Sequence, residues 1–147
     1  MINGEMKVII GIGSDLCDIR RIEKVITHHK ERFLHRIFTD KEIKKAEMRS
    51  DKLKSGTYAK RWAAKEACAK ALGTGFTEEV FYKDIEIVNN EKGKPTLRLY
   101  NGAFRSLQKL IDKNKKTNIL LTMSDEYPYA FAQVIIEMLP MNTVNEQ

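Results

Sequence analysis

The chain has 147 residues, 26 Lys and Arg against 20 Asp and Glu, and a formal net charge of +6. That length suits one domain, able to bury roughly 68–70% of its unfolded surface without disulfide or metal staples. No apolar run approaches the ~20 residues of a membrane span, and the start MINGEMKVIIGIG lacks the basic, apolar, small-residue order of a signal peptide. A cytoplasmic protein without a membrane anchor is therefore expected. Cys17 and Cys68 form no CxxC pair and read as reduced thiols. The positive surface favours a polyanion (nucleic acid, an acidic protein or a phosphorylated small molecule), although spare surface lysines account for the charge equally well.

Along the chain, KVIIGIGSDL (7–16) predicts a buried strand: a short apolar run with glycines, closed by a polar turn. A helix is expected from about Ile19 to His28, with RFLHRIF (32–38) continuing helically. Thr39 and Glu42 have capping-box spacing, so a second helix should begin there. Residues 50–56 (SDKLKSG) read as a loop before a long helix over 57–72. DIEIVNNEKGKPTLRLY (84–100) has two β-prone segments around a loop of turn formers, the pattern of a hairpin. Asn101 is expected to cap a helix whose apolar face holds Phe104, Leu107, Leu110 and Ile111. NILLTMS (118–124) and YAFAQVIIEM (129–138) read as strands joined by Asp-Glu-Tyr-Pro, and the last nine residues as a frayed tail. The order β-ααα-ββ-α-ββ contains no repeated βαβ unit. It predicts a single α+β domain over 1–140, a mainly antiparallel sheet packed with a long central helix, and a tail at 141–147.

RWAAKEACAKALGTG (61–75) is the unusual piece. Its alanines, tryptophan and leucine suggest burial, yet Arg61, Lys65, Glu66 and Lys70 sit among them, and it ends in a glycine turn. GIGSD (11–15) is not a dinucleotide fingerprint, because the position three after Gly13 is Leu16. It leaves Asp15 at the mouth of a strand, where a turn or helix-capping role is the ordinary expectation. Glu66 could likewise pair with Lys70 four residues on. Two separated carboxylates completed by waters and substrate phosphates are nonetheless a common way to hold Mg²⁺, which makes Asp15 and Glu66 metal candidates. Arg61, Lys65 and Lys70, taken singly, read as snorkelling cations. Together with Gly73-Thr74-Gly75 they resemble a phosphate cradle of point charges and backbone N–H groups. The hairpin loop could bring Lys94 to the same ligand. His28, His29 and His35 have no partner at metal-ligand spacing, and Ser124-Asp125 has no histidine placed to complete a hydrolase triad.

GIGSDLCDIRRI, RFLHRIFTDKEI, YAKRWAAKEACAKALGTG, DIEIVNNEKGKP and SDEYPYAFAQVIIE occur in this order. From about Lys7 to Glu137 the chain thereby resembles the bacterial holo-(acyl-carrier-protein) synthases, the small 4′-phosphopantetheinyl transferases. The resemblance implies that fold, and transfer of the 4′-phosphopantetheine arm of coenzyme A to a serine of apo-acyl carrier protein, a step of fatty acid biosynthesis that releases adenosine 3′,5′-bisphosphate. It implies Asp15 and Glu66 as Mg²⁺ ligands, with Glu66, directly or through a water, receiving the serine proton. Lys70 would stabilise charge at the leaving diphosphate. Arg61, Lys65, Lys70, Gly73, Thr74, Gly75, Lys94 and Pro95 would hold coenzyme A. The basic stretch Arg20, Arg21, Lys24, Arg32 and Arg36, interrupted by Ile22, Val25 and Phe33, would dock the acidic helix of the carrier protein. A homotrimer with sites between subunits is the family expectation.

Two departures stand out: Ser124-Asp125 replaces the family's usual Ser-His, and Cys68 stands where a larger apolar residue is common. The competing readings are a basic nucleic-acid-binding module, disfavoured by the lack of an interleaved aromatic–basic strand, and a catalytically inactive carrier-protein-binding relative.

Overall fold

Two glycines in the first strand decide how closely the molecule packs. Strand β1 (Val8–Asp18) lies against the long helix α3 (Asp51–Leu72). A Cβ at Gly13 would collide with the carbonyl of Ala67 and stand 2.7 Å from the amide nitrogen of Ala71; one at Gly11 would collide with the carbonyl of Ala71. The helix answers with small residues of its own: Ala59, Ala63, Ala64, Ala67, Ala69 and Ala71 are all buried. Glycine on one side and alanine on the other let the two backbones approach, which is what the GIG motif accomplishes here.

The computed structural model describes residues 6–141. Strand β1 is one edge of a three-stranded antiparallel sheet of order β1-β5-β4, with β4 at Lys115–Glu126 and β5 at Tyr129–Pro140. Ala130, Ala132, Val134 and Ile136 of β5 are buried, alternating with more exposed neighbours as the strand period requires. On the other face, the register aligns Ile12, Ile135 and Leu120 in one row and Leu16, Phe131 and Ser124 in another. Ile12 and Leu16 are 60% and 65% exposed on this face. β1 is thus an edge strand with one bare face, and the expected full burial is corrected.

Asp18 ends β1 and starts α1 (Ile19–Ile37), its side chain accepting the Arg20 N–H at 3.0 Å. The helix bends at His29, which leaves helical geometry and separates the two segments anticipated from the pattern. Helix α2 (Asp40–Glu47) carries the full capping box: the Glu42 N–H donates to Thr39 Oγ1, and the Thr39 N–H to Glu42 Oε1. β2 (Ile85–Asn89) and β3 (Pro95–Leu99) form a separate antiparallel hairpin, and α4 (Asn101–Leu110) follows.

Three local expectations need correcting. Residues 51–56 are helical, so α3 starts six residues earlier than expected. Gly56 suggested a loop, but a Cβ there would stand 2.9 Å from Asp125 Oδ2, so the glycine serves a close approach to β4. Asn101 does not cap α4: it is the helix's first residue, in the left-handed region (φ 48°), and its side chain donates to Asp84 Oδ1 at 3.1 Å. Finally, residues 139 and 140, expected in a frayed tail, close β5, which runs to Pro140; the rest of that expectation, at 142–147, lies outside the described residues. Among the described residues no helix is long and apolar enough to cross a membrane.

Candidate active site

Period-two alternation puts Gly13, Asp15 and Cys17 on the same face of β1, the face turned toward α3. Asp15 and Glu66 consequently line one cavity of about 260 Å³, with Cys17, Arg21, Phe33 and Trp62 among its other walls. Lys70, one turn beyond Glu66, reaches across to β1: its Nζ donates to the Ser14 carbonyl at 2.8 Å and to Asp15 Oδ1 at 3.2 Å. The carboxylate of Glu66 does not take up Lys70 as an i,i+4 partner. Its Oε1 accepts the Tyr82 hydroxyl at 2.7 Å instead. Burial first, and then that bond to Glu66, push the Tyr82 phenol well above its ordinary pKa, so it stays a donor.

Cys17 stands at the wall of this cavity as a protonated thiol. Burial, followed by the negative charge of Asp15, raises its pKa to about 11. The oxygen donors are therefore the two carboxylates, and among the described residues no cluster of three or more His, Cys, Asp or Glu forms a complete metal cage. Such a donor set suits a hard cation that keeps waters or takes further oxygens from a substrate.

Lys65 is not a phosphate ligand. Its side chain is 0% exposed and its Nζ bonds Glu42 Oε1 at 2.8 Å, the Tyr82 carbonyl at 3.0 Å and the Ile85 carbonyl. Glu42 is equally enclosed, and its Oε2 accepts the Ile87 N–H at 2.9 Å. This buried pair ties α2 and α3 to the β2–β3 hairpin.

The glycine turn differs from expectation too. Gly73 closes α3 at φ 80°, and the N–H groups of Gly73, Thr74 and Gly75 all bond back to the last helical carbonyls, those of Ala69 and Lys70. The turn supplies shape but no free backbone donors there.

Arg61 faces a second cavity, of about 570 Å³, lined also by Lys45, Arg49, Lys60, Asn89, Gly93 and Pro95. Arg61 is 5% exposed, one nitrogen donates to Asn89 Oδ1 at 3.3 Å, and its Nε is buried without a partner among the described residues. Four cations and an unsatisfied guanidinium N–H give this cavity donors of the kind that bind anions. Lys94 sits exposed in the adjoining hairpin loop. The two cavities share no lining residue. Asp125, at the position of the usual histidine, pairs with Lys60 at 3.1 Å.

On α1, Arg21, Arg32 and Arg36 are exposed, and Arg21 borders the carboxylate cavity. Arg20 is tied to Asp18 by paired bonds of 2.9 and 2.8 Å. Ile22 is 4% exposed and belongs to the core, so it presents no docking surface. Phe33 is half-buried, stacked on Trp62 with centroids 5.6 Å apart. Sequence reasoning missed Tyr82, Lys45, Arg49, Lys60 and Asn89, which reach the two sites only through tertiary contacts and carry no spacing signal.

The family model of the 4′-phosphopantetheinyl transferase superfamily matches residues 11–132. Among curated relatives, the holo-[acyl-carrier-protein] synthase of Granulibacter bethesdensis is 57% identical over 136 residues, covering 92% of this chain and 94% of that protein. That of Brucella ovis is 53% identical over 134 residues, 91% and 98% of the two chains. Among solved structures, the Bacillus anthracis holo-(acyl-carrier-protein) synthase in complex with CoA (3′,5′-ADP) superposes with TM-score 0.71 at 34% identity, over 88% of this chain and 96% of that one. The Helicobacter pylori holo-[acyl-carrier-protein] synthase in complex with coenzyme A gives TM-score 0.71 at 31% identity, over 85% and 98%.

Proposed function

The chain belongs to the 4′-phosphopantetheinyl transferase superfamily, and on that premise we propose that it transfers the 4′-phosphopantetheine arm of coenzyme A to a serine of apo-acyl carrier protein. The observation that carries the reading is the pair Asp15 and Glu66, delivered by two different elements to one cavity beside Lys70. In the reaction the serine oxygen bonds to the phosphorus bearing pantetheine. The bond from that phosphorus to the bridging oxygen breaks, and adenosine 3′,5′-bisphosphate leaves with the electron pair. Mg²⁺ held by Asp15 and Glu66 would offset the charge that accumulates on the diphosphate. Glu66 receives the serine proton, and the Lys70 ammonium stabilises the leaving oxygen. Cys17, kept protonated, does not compete as a nucleophile.

The cation cavity around Arg49, Lys60 and Arg61, with Gly93, Lys94 and Pro95 at the hairpin, would take the nucleotide phosphates of coenzyme A. That cavity and the carboxylate cavity share no wall, and one face of the three-stranded sheet exposes Ile12, Leu16, Leu120 and Phe131. Both features favour a homotrimer in which neighbouring chains complete each site. Exposed Arg21, which borders the carboxylate cavity, and Arg32 and Arg36 farther along α1 would dock the acidic carrier protein in the cytoplasm.

Mass spectrometry of apo-carrier protein incubated with the protein, coenzyme A and Mg²⁺ tests the reading. A gain of one phosphopantetheine, lost on chelation and in Glu66→Gln, is expected. Carrier binding with no mass gain would instead identify an inactive relative.

A further inference from the structure

Glu66 is a long, flexible, half-exposed side chain, yet any role as a ligand requires one orientation. What fixes it lies sixteen residues on. The Tyr82 hydroxyl donates to Glu66 Oε1 at 2.7 Å, a short bond to a charged acceptor. The Tyr82 ring is itself clamped. Phe76 stacks on one side with centroids 3.7 Å apart and planes 17° from parallel, and Trp62 packs at 5.2 Å. Its backbone is held as well: the Tyr82 carbonyl accepts from the enclosed Lys65 at 3.0 Å. The turn it opens, Tyr82–Asp84, is locked by the Asp84 carboxylate, which accepts the Phe81 N–H at 3.1 Å and the Asn101 side chain at 3.1 Å.

We infer that Tyr82 is a positioning residue for the metal site, holding the Glu66 carboxylate by one oxygen in a fixed rotamer so that it meets the cation already oriented. The inference rests on the reading of Glu66 as a metal ligand. Its physical basis is the general one that hydrogen-bond partners behind a ligand set the ligand's direction and basicity, and that removing such a partner weakens metal binding by about 10–100-fold. It also gives the buried Lys65–Glu42 pair a link to the site: through the Tyr82 backbone, the dry core ion pair anchors the phenol that orients the working carboxylate.

The test compares wild type, Tyr82→Phe and Glu66→Gln, using Mn²⁺ as the probe and electron paramagnetic resonance to measure free metal, with neither substrate present. Tyr82→Phe keeps the ring between Phe76 and Trp62, so its thermal unfolding should match wild type. Its Mn²⁺ dissociation constant should rise about tenfold. In turnover, the Mg²⁺ concentration for half-maximal rate should rise by the same factor while KM for coenzyme A stays unchanged. Wild-type Mn²⁺ affinity in Tyr82→Phe, alongside lost binding in Glu66→Gln, overturns the positioning role and leaves the metal assignment intact. Wild-type affinity in Glu66→Gln overturns the metal assignment, and the positioning role with it.

Discussion

Lys65 and Lys70 sit five residues apart on one helix, and each bonds a carboxylate, Glu42 at 2.8 Å and Asp15 at 3.2 Å. They do opposite work. The Lys65 side chain is sealed from solvent, and its three N–H donors meet three acceptors. Burial lowers its pKa from the ordinary value, and Glu42 opposes that shift. The Lys70 side chain is 53% exposed beside Asp15 and has two oxygen partners, so one donor remains to be used. The same kind of ion pair is structural when all its valences are met in the core, and available for chemistry when one is left facing solvent.

The largest expected effect breaks the buried side of this contrast. Lys65→Met leaves Glu42 charged without its partner and should cost about 3–5 kcal/mol of stability in denaturant unfolding. The double variant Glu42→Leu/Lys65→Met should recover only part of it, because Glu42 also satisfies the N–H groups of Thr39 and Ile87. Next come Asp15→Asn and Glu66→Gln, each expected to lower kcat/KM at limiting Mg²⁺ by about a hundredfold or more, roughly 3 kcal/mol, with circular dichroism and melting near wild type. Unchanged turnover in either would remove that carboxylate from the metal site.

Lys70→Met sharpens the comparison: kcat should fall by about tenfold or more while KM for coenzyme A holds, and stability should change by less than about 1 kcal/mol, as for an exposed pair. Arg21→Glu should raise KM for the carrier protein about tenfold and flatten its salt dependence, leaving coenzyme A affinity alone. The smallest effect concerns acid stability. Glu47 accepts bonds from the Tyr58 hydroxyl at 2.7 Å and from Lys54 at 3.1 Å, and its pKa is held below the ordinary carboxylate value chiefly by the Tyr58 bond. A depressed folded pKa gives stability that is complete above the unfolded value and is lost as pH falls through the folded one. Glu47→Gln should therefore flatten the acid limb of a melting-temperature profile and lower its neutral plateau.

The periodic signals in the sequence located the elements well. The capping box started α2, the turn formers placed the hairpin, and Asp15 and Glu66 were recognisable as a possible pair. Lys65 misled because α3 is buried on nearly every side, so an alanine-rich pattern gives no outward face on which to place a lysine. Gly56 imitated a loop since only the tertiary position of Asp125 explains it. The cations of the second cavity come from α2, the α2–α3 junction and α3, and no local spacing announces that they meet. Tyr82 was invisible for the same reason.

The bare Cα at position 13 has a consequence for dimensions. Ala67, whose carbonyl a side chain there would strike, is the neighbour of Glu66, and Asp15 is two residues along the same strand face. The gap between the two carboxylates is thus a machining tolerance, gauged by a residue that has no side chain. A single methyl at Gly13 acts as a shim: it must lift the helix off the strand, and the two carboxylates proposed to hold the cation part with it.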